Sequence, residues 1–267
     1  MIILRGRVMT TLVSSGIDGF DELVGGGFPA GKNIVVTGGP GTGKTIFSLQ
    51  FIIMGILKYN EKGIFVTTEQ SIPDIKRDAL SFGWNLTAFE EQDKLRIINA
   101  TPAIIPSVSK KEYVISEPHQ LLGYLSFSPE DILSLIHDKR REINATRVAV
   151  DSLTHLMLYE ENLFKARVNI LRLINSLKST NVTILSTAER MGGYSQGVYE
   201  IIPYVADGVV NLYMLREESR KIRACEILKM RGVKHSMDVV RMTITNEGIR
   251  VYPNEKIALE PGKLIYI

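Results

Sequence analysis

The 267 residues are 45% apolar and 23% charged, an ordinary globular composition that excludes wholesale disorder and suffices for one well-buried core. A net charge of +3 is too small to argue on its own for a nucleic-acid partner. The single cysteine, Cys225, excludes an internal disulfide; without Cys or His neighbours at zinc spacing, it is expected as a small core hydrophobe.

Residues 1–10 carry Arg5 and Arg7 but not the apolar run of a signal peptide, and no apolar stretch reaches the length of a membrane span. The expectation is a soluble, cytoplasmic chain. A short amphipathic stretch from Ile17 to Leu23 ends at Gly25-Gly26-Gly27. The β-branched run Asn33 to Thr37 then predicts a buried strand, followed by a glycine-rich turn over Gly38 to Thr45. Phe47, Phe51, Met54 and Leu57 recur at helical spacing, which predicts a helix from Ile46 to Tyr59. A second strand is predicted over Gly63 to Thr68, a helix over Ile72 to Phe82 and a third strand over Leu95 to Ile98. Trp84, at the end of that helix, is expected in packing.

Residues 101–128 interrupt this pattern with three prolines and many serines, and read as a long insertion expected to be mobile and surface-exposed. Ser128-Pro129-Glu130-Asp131 has the cap, the proline and the acids of a helix start, and the helix runs to about Asn144. Lys139-Arg140-Arg141 falls near its end, where cations suit the helix dipole. Arg147 to Val150 predicts a strand ending on Asp151, Leu163 to Lys178 a helix and Val182 to Ser186 a strand. Four more strands are predicted over Val205 to Leu215, Ile222 to Lys229, Val239 to Thr245 and Ile249 to Tyr252, the last two joined by a turn at Asn246-Glu247-Gly248. Alternating strands and helices followed by strands alone predict one α/β domain over 1–267. Its mainly parallel sheet is flanked by helices and carries an antiparallel C-terminal extension.

Gly38-Gly39-Pro40-Gly41-Thr42-Gly43-Lys44-Thr45 fits the Walker A pattern in full, with the required strand before it and helix after it. Its glycines let backbone N–H groups from Gly39 to Ile46 point at phosphate oxygens, at the positive end of the following helix. Lys44 can reach the β- and γ-phosphates of ATP, and the Thr45 hydroxyl can hold Mg2+. Asp151, ending an apolar strand, is the natural second metal residue. Glu69, at the carboxyl end of the second strand, is placed to activate a water. His119, His137 and His155 stand apart in sequence, so no zinc site is expected.

Together these segments resemble the KaiC-like branch of the RecA-type ATPases. The likeness runs from Ser14 to Thr45 (SSGIDGFDELVGGGFPAGKNIVVTGGPGTGKT) through Phe65 to Trp84 (FVTTEQSIPDIKRDALSFGW) and VAVDSLTHL at Val148 to Leu156. It ends in ILKMRGVKH at Ile227 to His235. The resemblance implies a RecA-like core, ATP and Mg2+ as ligands, and a ring of like subunits, usually a hexamer, with ATP between neighbours. It puts the catalytic glutamate at Glu69 and the Walker B aspartate at Asp151. Many relatives carry two consecutive glutamates where this chain has Glu69-Gln70. One base is kept for ATP hydrolysis, and a protein-kinase activity relying on both acids is put in question. Lys229 and Arg231, two residues apart on a predicted strand and so on one side of it, match the family segment that faces a neighbour's γ-phosphate. His235 falls where a further polar contact is expected.

The expected function is thus a ring-forming regulatory or signalling ATPase. A recombinase-like ATPase binding single-stranded DNA and a nucleotide-switched protein-interaction scaffold remain as alternatives. The loop Met191 to Tyr199 corresponds to the channel-lining position of ring relatives and holds Tyr194 and Tyr199, which could stack bases. No helix-turn-helix or zinc-finger pattern accompanies it, so nucleic acid is the weaker expectation, and a protein partner is the other.

Overall fold

The computed structural model describes residues 11–101, 129–158, 162–178, 182–190, 202–217 and 219–258, with short paired strands at β1 (Ile2–Leu4), β2 (Arg7–Met9), β8 (Ala103–Ile104) and β9 (Tyr124–Leu125). Apart from Thr101, β8 and β9, the 101–128 insertion lies outside the described residues, and so does the loop Met191 to Tyr199. The chain enters through β3 (Leu12–Val13), the one-turn helix α1 (Phe20–Leu23) and β4 (Phe28–Pro29). There follow β5 (Asn33–Gly38), α2 (Lys44–Tyr59), β6 (Gly63–Thr67), α3 (Ile72–Leu80), α4 (Leu86–Glu91) and β7 (Leu95–Asn99). After the insertion come α5 (Pro129–Ile143), β10 (Arg147–Asp151), α6 (Leu153–Leu158), α7 (Leu163–Lys178) and β11 (Thr183–Glu189). The last third is β12 (Gly208–Glu217), β13 (Arg220–Met230), β14 (Val240–Thr245) and β15 (Gly248–Lys256).

Nine strands form one sheet in the order β15-β14-β13-β12-β5-β11-β10-β6-β7. From β7 to β12 every pairing is parallel, and from β12 to β15 every pairing is antiparallel. The reason is local. Long helical crossovers separate the first strands, which forces parallel return, whereas two-residue turns join β14 to β15 and permit only antiparallel return. Strands β5, β6 and β10 are buried along their whole length, as expected of strands covered on both faces.

Two cores lie on the two faces. One packs α2 against Phe20 and Phe28, with Phe20 and Phe47 edge to face at 5.1 Å. It also takes Trp84, buried and stacked on Phe82 at 4.9 Å, so this tryptophan serves packing. The other core holds Ile132 and Ile136 of α5 and Ile170, Leu173, Ile174 and Leu177 of α7. Cys225 is fully buried, and burial pushes its thiol up to about 12, which leaves it an inert core side chain.

One core contact is unusual. Arg147, 1% exposed, lies 4.6 Å over the Phe51 ring and donates to the Phe51 carbonyl at 2.8 Å and to Glu61. A Cβ on Gly55, in the middle of α2, would come within 2.5 Å of Arg147 Nε, so this glycine keeps the guanidinium's place. Gln50 of α2 exchanges hydrogen bonds with the Ile249 backbone at 2.6 and 3.1 Å, pinning the helix to the last hairpin.

The structure corrects several boundaries. Val205 is not strand: residues 202–205 form a helical turn, and β12 begins at Gly208. Strand β11 runs on to Glu189, and the short helices α4 and α6 were not anticipated. Among the described residues no helix is long and apolar enough to cross a membrane.

Candidate active site

The phosphate loop joins β5 to α2. Gly41 and Gly43 have φ values of 70° and 106°, left-handed conformations that favour glycine. A Cβ on Gly38 would lie 2.6 Å from Thr42 Oγ1 and 2.8 Å from the Leu212 carbonyl oxygen, so the strand end tolerates no side chain. Thr42 Oγ1 and Lys44 Nζ both donate to the Gly39 carbonyl, at 2.8 and 3.0 Å, closing the loop on itself. Gly39, Pro40 and Gly41 form its outer rim, and Thr45 and Ile46 continue the first turn of α2. That turn contains no acidic residue, so its positive end keeps its preference for an anion. From β13, Arg223 Nε donates to the Gly41 carbonyl at 3.1 Å and ties the loop to the antiparallel extension.

Strand register sets the remaining residues against this loop. Gly38 pairs with Glu189, Val150 with Ser186 and Asp151 with Thr67, so the carboxyl ends of β5, β11, β10 and β6 form one edge. Asp151 is 3% exposed and accepts hydrogen bonds from Thr187 and from the Thr45 side chain. Burial raises its pKa; the two hydroxyls oppose that shift, and the nearby Glu69 charge adds to it. A hydroxyl and a carboxylate brought into contact at a phosphate loop are hard oxygen donors and fit Mg2+, which takes few protein ligands beside phosphate oxygens. Among the described residues there is no cluster of three or more His, Cys, Asp or Glu side chains for a metal.

Glu69 follows β6 and reaches the same edge. Thr68 fixes it there: its N–H donates to the Asp151 carbonyl at 2.7 Å, and its hydroxyl accepts from the Ser152 N–H at 2.8 Å. Glu69 Oε1 lies 3.1 Å from His155 Nδ1, which is also 3.3 Å from Ser152 Oγ. The hydrogen bond to His155 lowers the pKa of Glu69; burial opposes it, and Ser152 and the Lys44 charge assist. The adjacent Gln70 turns away to Asp78 of α3 at 3.4 Å. His155 is therefore not isolated, as its place in the sequence implied. It sits one helical turn past Asp151 and meets Glu69 across 86 residues of sequence. Together with Arg223, it is a residue at this edge that sequence reading missed, whereas Thr187 lies in the segment Ser186 to Arg190, where the resemblance implies a polar sensor. The only local signal for His155 was its place four residues after the strand-ending aspartate.

Lys229 and Arg231 are not at this edge. Met230 pairs with Gly208, and Gly208 with Ile34, near the beginning of β5. The four residue-to-residue steps from Ile34 to Gly38 span roughly 13 Å of strand. The two cations thus leave the sheet at the end opposite the phosphate loop. Lys229 Nζ donates to the carbonyls of Pro203 and Ala206 at 2.6 and 2.8 Å, and its pKa is lowered by burial and by the Arg231 charge. Arg231 is 56% exposed, with its guanidinium 3.9 Å from Asp207. Buried Asp207 also takes Lys178 at 2.7 Å and the Asn33 N–H at 3.2 Å; burial works against its charge, but these partners hold its pKa below the usual carboxylate range. His235 Nδ1 lies 2.8 Å from the Ser236 carbonyl oxygen.

Comparison with known proteins fits this geometry. The family model described as "ATPase: KaiC" matches residues 13–256. The circadian clock oscillator protein KaiC of Parasynechococcus marenigrum (strain WH8102) is 39% identical over 240 residues, covering 90% of this chain and 44% of that protein. The KaiC of Parathermosynechococcus lividus is 37% identical over 240 residues, covering 90% and 42%. The chain spans less than half the length of these relatives. The crystal structure of a KaiC-like protein from Pyrococcus horikoshii OT3 superposes with a TM-score of 0.76 at 35% identity, covering 92% of this chain and all of that one. A phosphate loop facing a strand-end aspartate and glutamate, and a family match from residue 13 to residue 256, make this chain a member of the KaiC family of RecA-type P-loop ATPases.

Proposed function

We propose that this chain, as a single domain, binds ATP with Mg2+ and hydrolyses it to ADP and phosphate. In this reading it works as a homo-hexameric ring with regulatory or signalling action in the cytoplasm. The observation that carries the reading is the convergence of Lys44, Thr45, Asp151 and Glu69 on one edge of the parallel strands. Amides of the loop from Gly39 to Ile46 cradle the phosphates, and Lys44 exchanges the Gly39 carbonyl for β- and γ-phosphate oxygens. Thr45 and Asp151 would hold Mg2+, which would supply positive charge beside the phosphates. Glu69 orients the attacking water and accepts its proton. Lys229, Arg231 and His235 serve the ATP of the adjacent subunit, a role supported by the departure of both cations from the far end of the sheet. Arg231, half-exposed, is free to turn outward, while Lys229 braces the segment at Pro203 and Ala206. With Gln70 in place of a second acid and turned to α3, protein-kinase activity is not part of the proposal.

Calorimetry and phosphate release test the site together. Lys44→Ala should abolish tight ATP binding, because it removes the loop's only cation. Glu69→Gln should bind ATP normally and lose about 10²–10⁴-fold in turnover. Unchanged ATP affinity in the first variant would remove the loop from the reading. Wild-type turnover in the second would move the base, with Glu189 next in line.

A further inference from the structure

Glu69 shares its edge with an imidazole that the ATPase chemistry above does not use. His155 projects from α6 in the same turn that follows Asp151 and reaches Glu69 Oε1 at 3.1 Å, with both side chains 29% exposed. The groups facing it are Glu69 after β6, Glu189 at the end of β11, Asp151 at the end of β10, and the uncharged Ser152. Among the described residues, the charges that act most strongly on it are acids, with the Lys44 cation beyond them next to Glu69 and Asp151. An imidazole among three carboxylates is drawn toward its protonated form, and a carboxylate that accepts from an imidazolium is a weaker base.

We propose that His155 is a positioning residue that holds Glu69 and imposes a proton-dependent brake on ATP turnover. Protonated His155 donates from Nδ1 to Glu69 Oε1 and ties up the carboxylate. Neutral His155 keeps the side chain aligned, leaves its charge undiminished and lets it take the proton of the attacking water. The inference rests on Glu69 being the base. The hydrogen bond to Glu69 raises the pKa of His155 from the ordinary imidazole value against the effect of burial, so the brake is released at a higher pH than for a free imidazole. Turnover therefore rises with pH as His155 loses its proton.

The test is the pH profile of phosphate release at saturating ATP and Mg2+, for the full chain and for His155→Asn, which keeps an uncharged donor. The wild type should gain roughly tenfold from pH 6 to pH 8.5, a modest Brønsted effect. His155→Asn should lack this rise and exceed the wild type on the acid side. Titration of ATP itself is common to both proteins and cancels in the comparison. Histidine NMR gives a second readout: His155 should titrate above the ordinary midpoint and fall back in Glu69→Gln. A rise that persists unchanged in His155→Asn, or a His155 midpoint indifferent to Glu69→Gln, overturns the inference while leaving an inactive Glu69→Gln, and so the base, intact. An active Glu69→Gln would instead sink the reading of the base. If His155→Asn does not fold, the NMR comparison decides alone.

Discussion

Buried Asp151 shows how much a single hydroxyl can matter at the scale of the residue. Burial works against its charge, and Thr187 is one of two hydroxyls that, with the Lys44 charge, favour the ionised form. Replacing Thr187 with valine keeps the shape and removes the donor. Asp151 should then hold a proton more readily and compete less well for a cation. We expect Thr187→Val to fold normally and to need several-fold more Mg2+ for half-maximal phosphate release, a deficit that shrinks as pH rises because the carboxylate regains its charge. A magnesium titration at two pH values reads this directly, and identical curves for the two proteins would count against the role. Legibility at this scale followed chain distance. The phosphate loop was readable because eight adjacent residues carry it. Asp151 stood out as a candidate because it ends an apolar strand, and Glu69 because it lies two residues past one. The bonds Thr187–Asp151, His155–Glu69 and Arg223–Gly41 span 36, 86 and 182 residues, and nothing in a local pattern announces them.

Secondary-structure elements behave similarly: those with a full hydrophobic period were visible. Helix α7 was read with the bounds it has, and α2 to within two residues of its start. Helices α4 and α6 have six residues each, too few for a period to show. The apolar run near Val205 suits a buried helical turn as well as a strand, and tertiary context decided for the turn. Packing between elements also reverses a propensity argument at Gly55. Alanine there would ordinarily stabilise a helix by about 0.5–1 kcal/mol. The added Cβ meets Arg147 at 2.5 Å, and that guanidinium is held by Glu61, by the Phe51 carbonyl and by two aromatic faces. The clash should win, since overpacking a tight core costs about 1–3 kcal/mol. Gly55→Ala should accordingly lower the thermal midpoint. A midpoint unchanged or raised would show that Arg147 swings out at little cost.

For the whole molecule, the polarity of the sheet matters most. The candidate site lies at the carboxyl ends of β5, β11, β10 and β6, and Lys229 and Arg231 leave at the other end. Under the proposed ring, Arg231→Ala and Lys44→Ala should each be inactive alone, a trans arginine being worth about 10³–10⁵ in turnover. Mixed rings should recover partial activity at interfaces that join an intact Lys44 to an intact Arg231. Mixtures that stay inactive although mixed rings form, or a fully active Arg231→Ala, would refute the trans arrangement. The class of fold, the parallel body and the antiparallel extension were legible in the order of predicted strands. The sequence of strands across the sheet was not, because pairing β5 between β11 and β12 depends on contacts far along the chain.

A sheet with its phosphate loop at one end and its two cations at the other has a kinetic consequence. Under the proposed ring a lone subunit is a latent enzyme, and the reaction is expected to be of higher than first order in protein wherever rings dissociate. Phosphate released per subunit should fall as the protein is diluted. It should be restored by adding Lys44→Ala chains, which bind no ATP themselves but still offer Arg231 to a neighbour, so that an inactive variant acts as an activator of the diluted wild type.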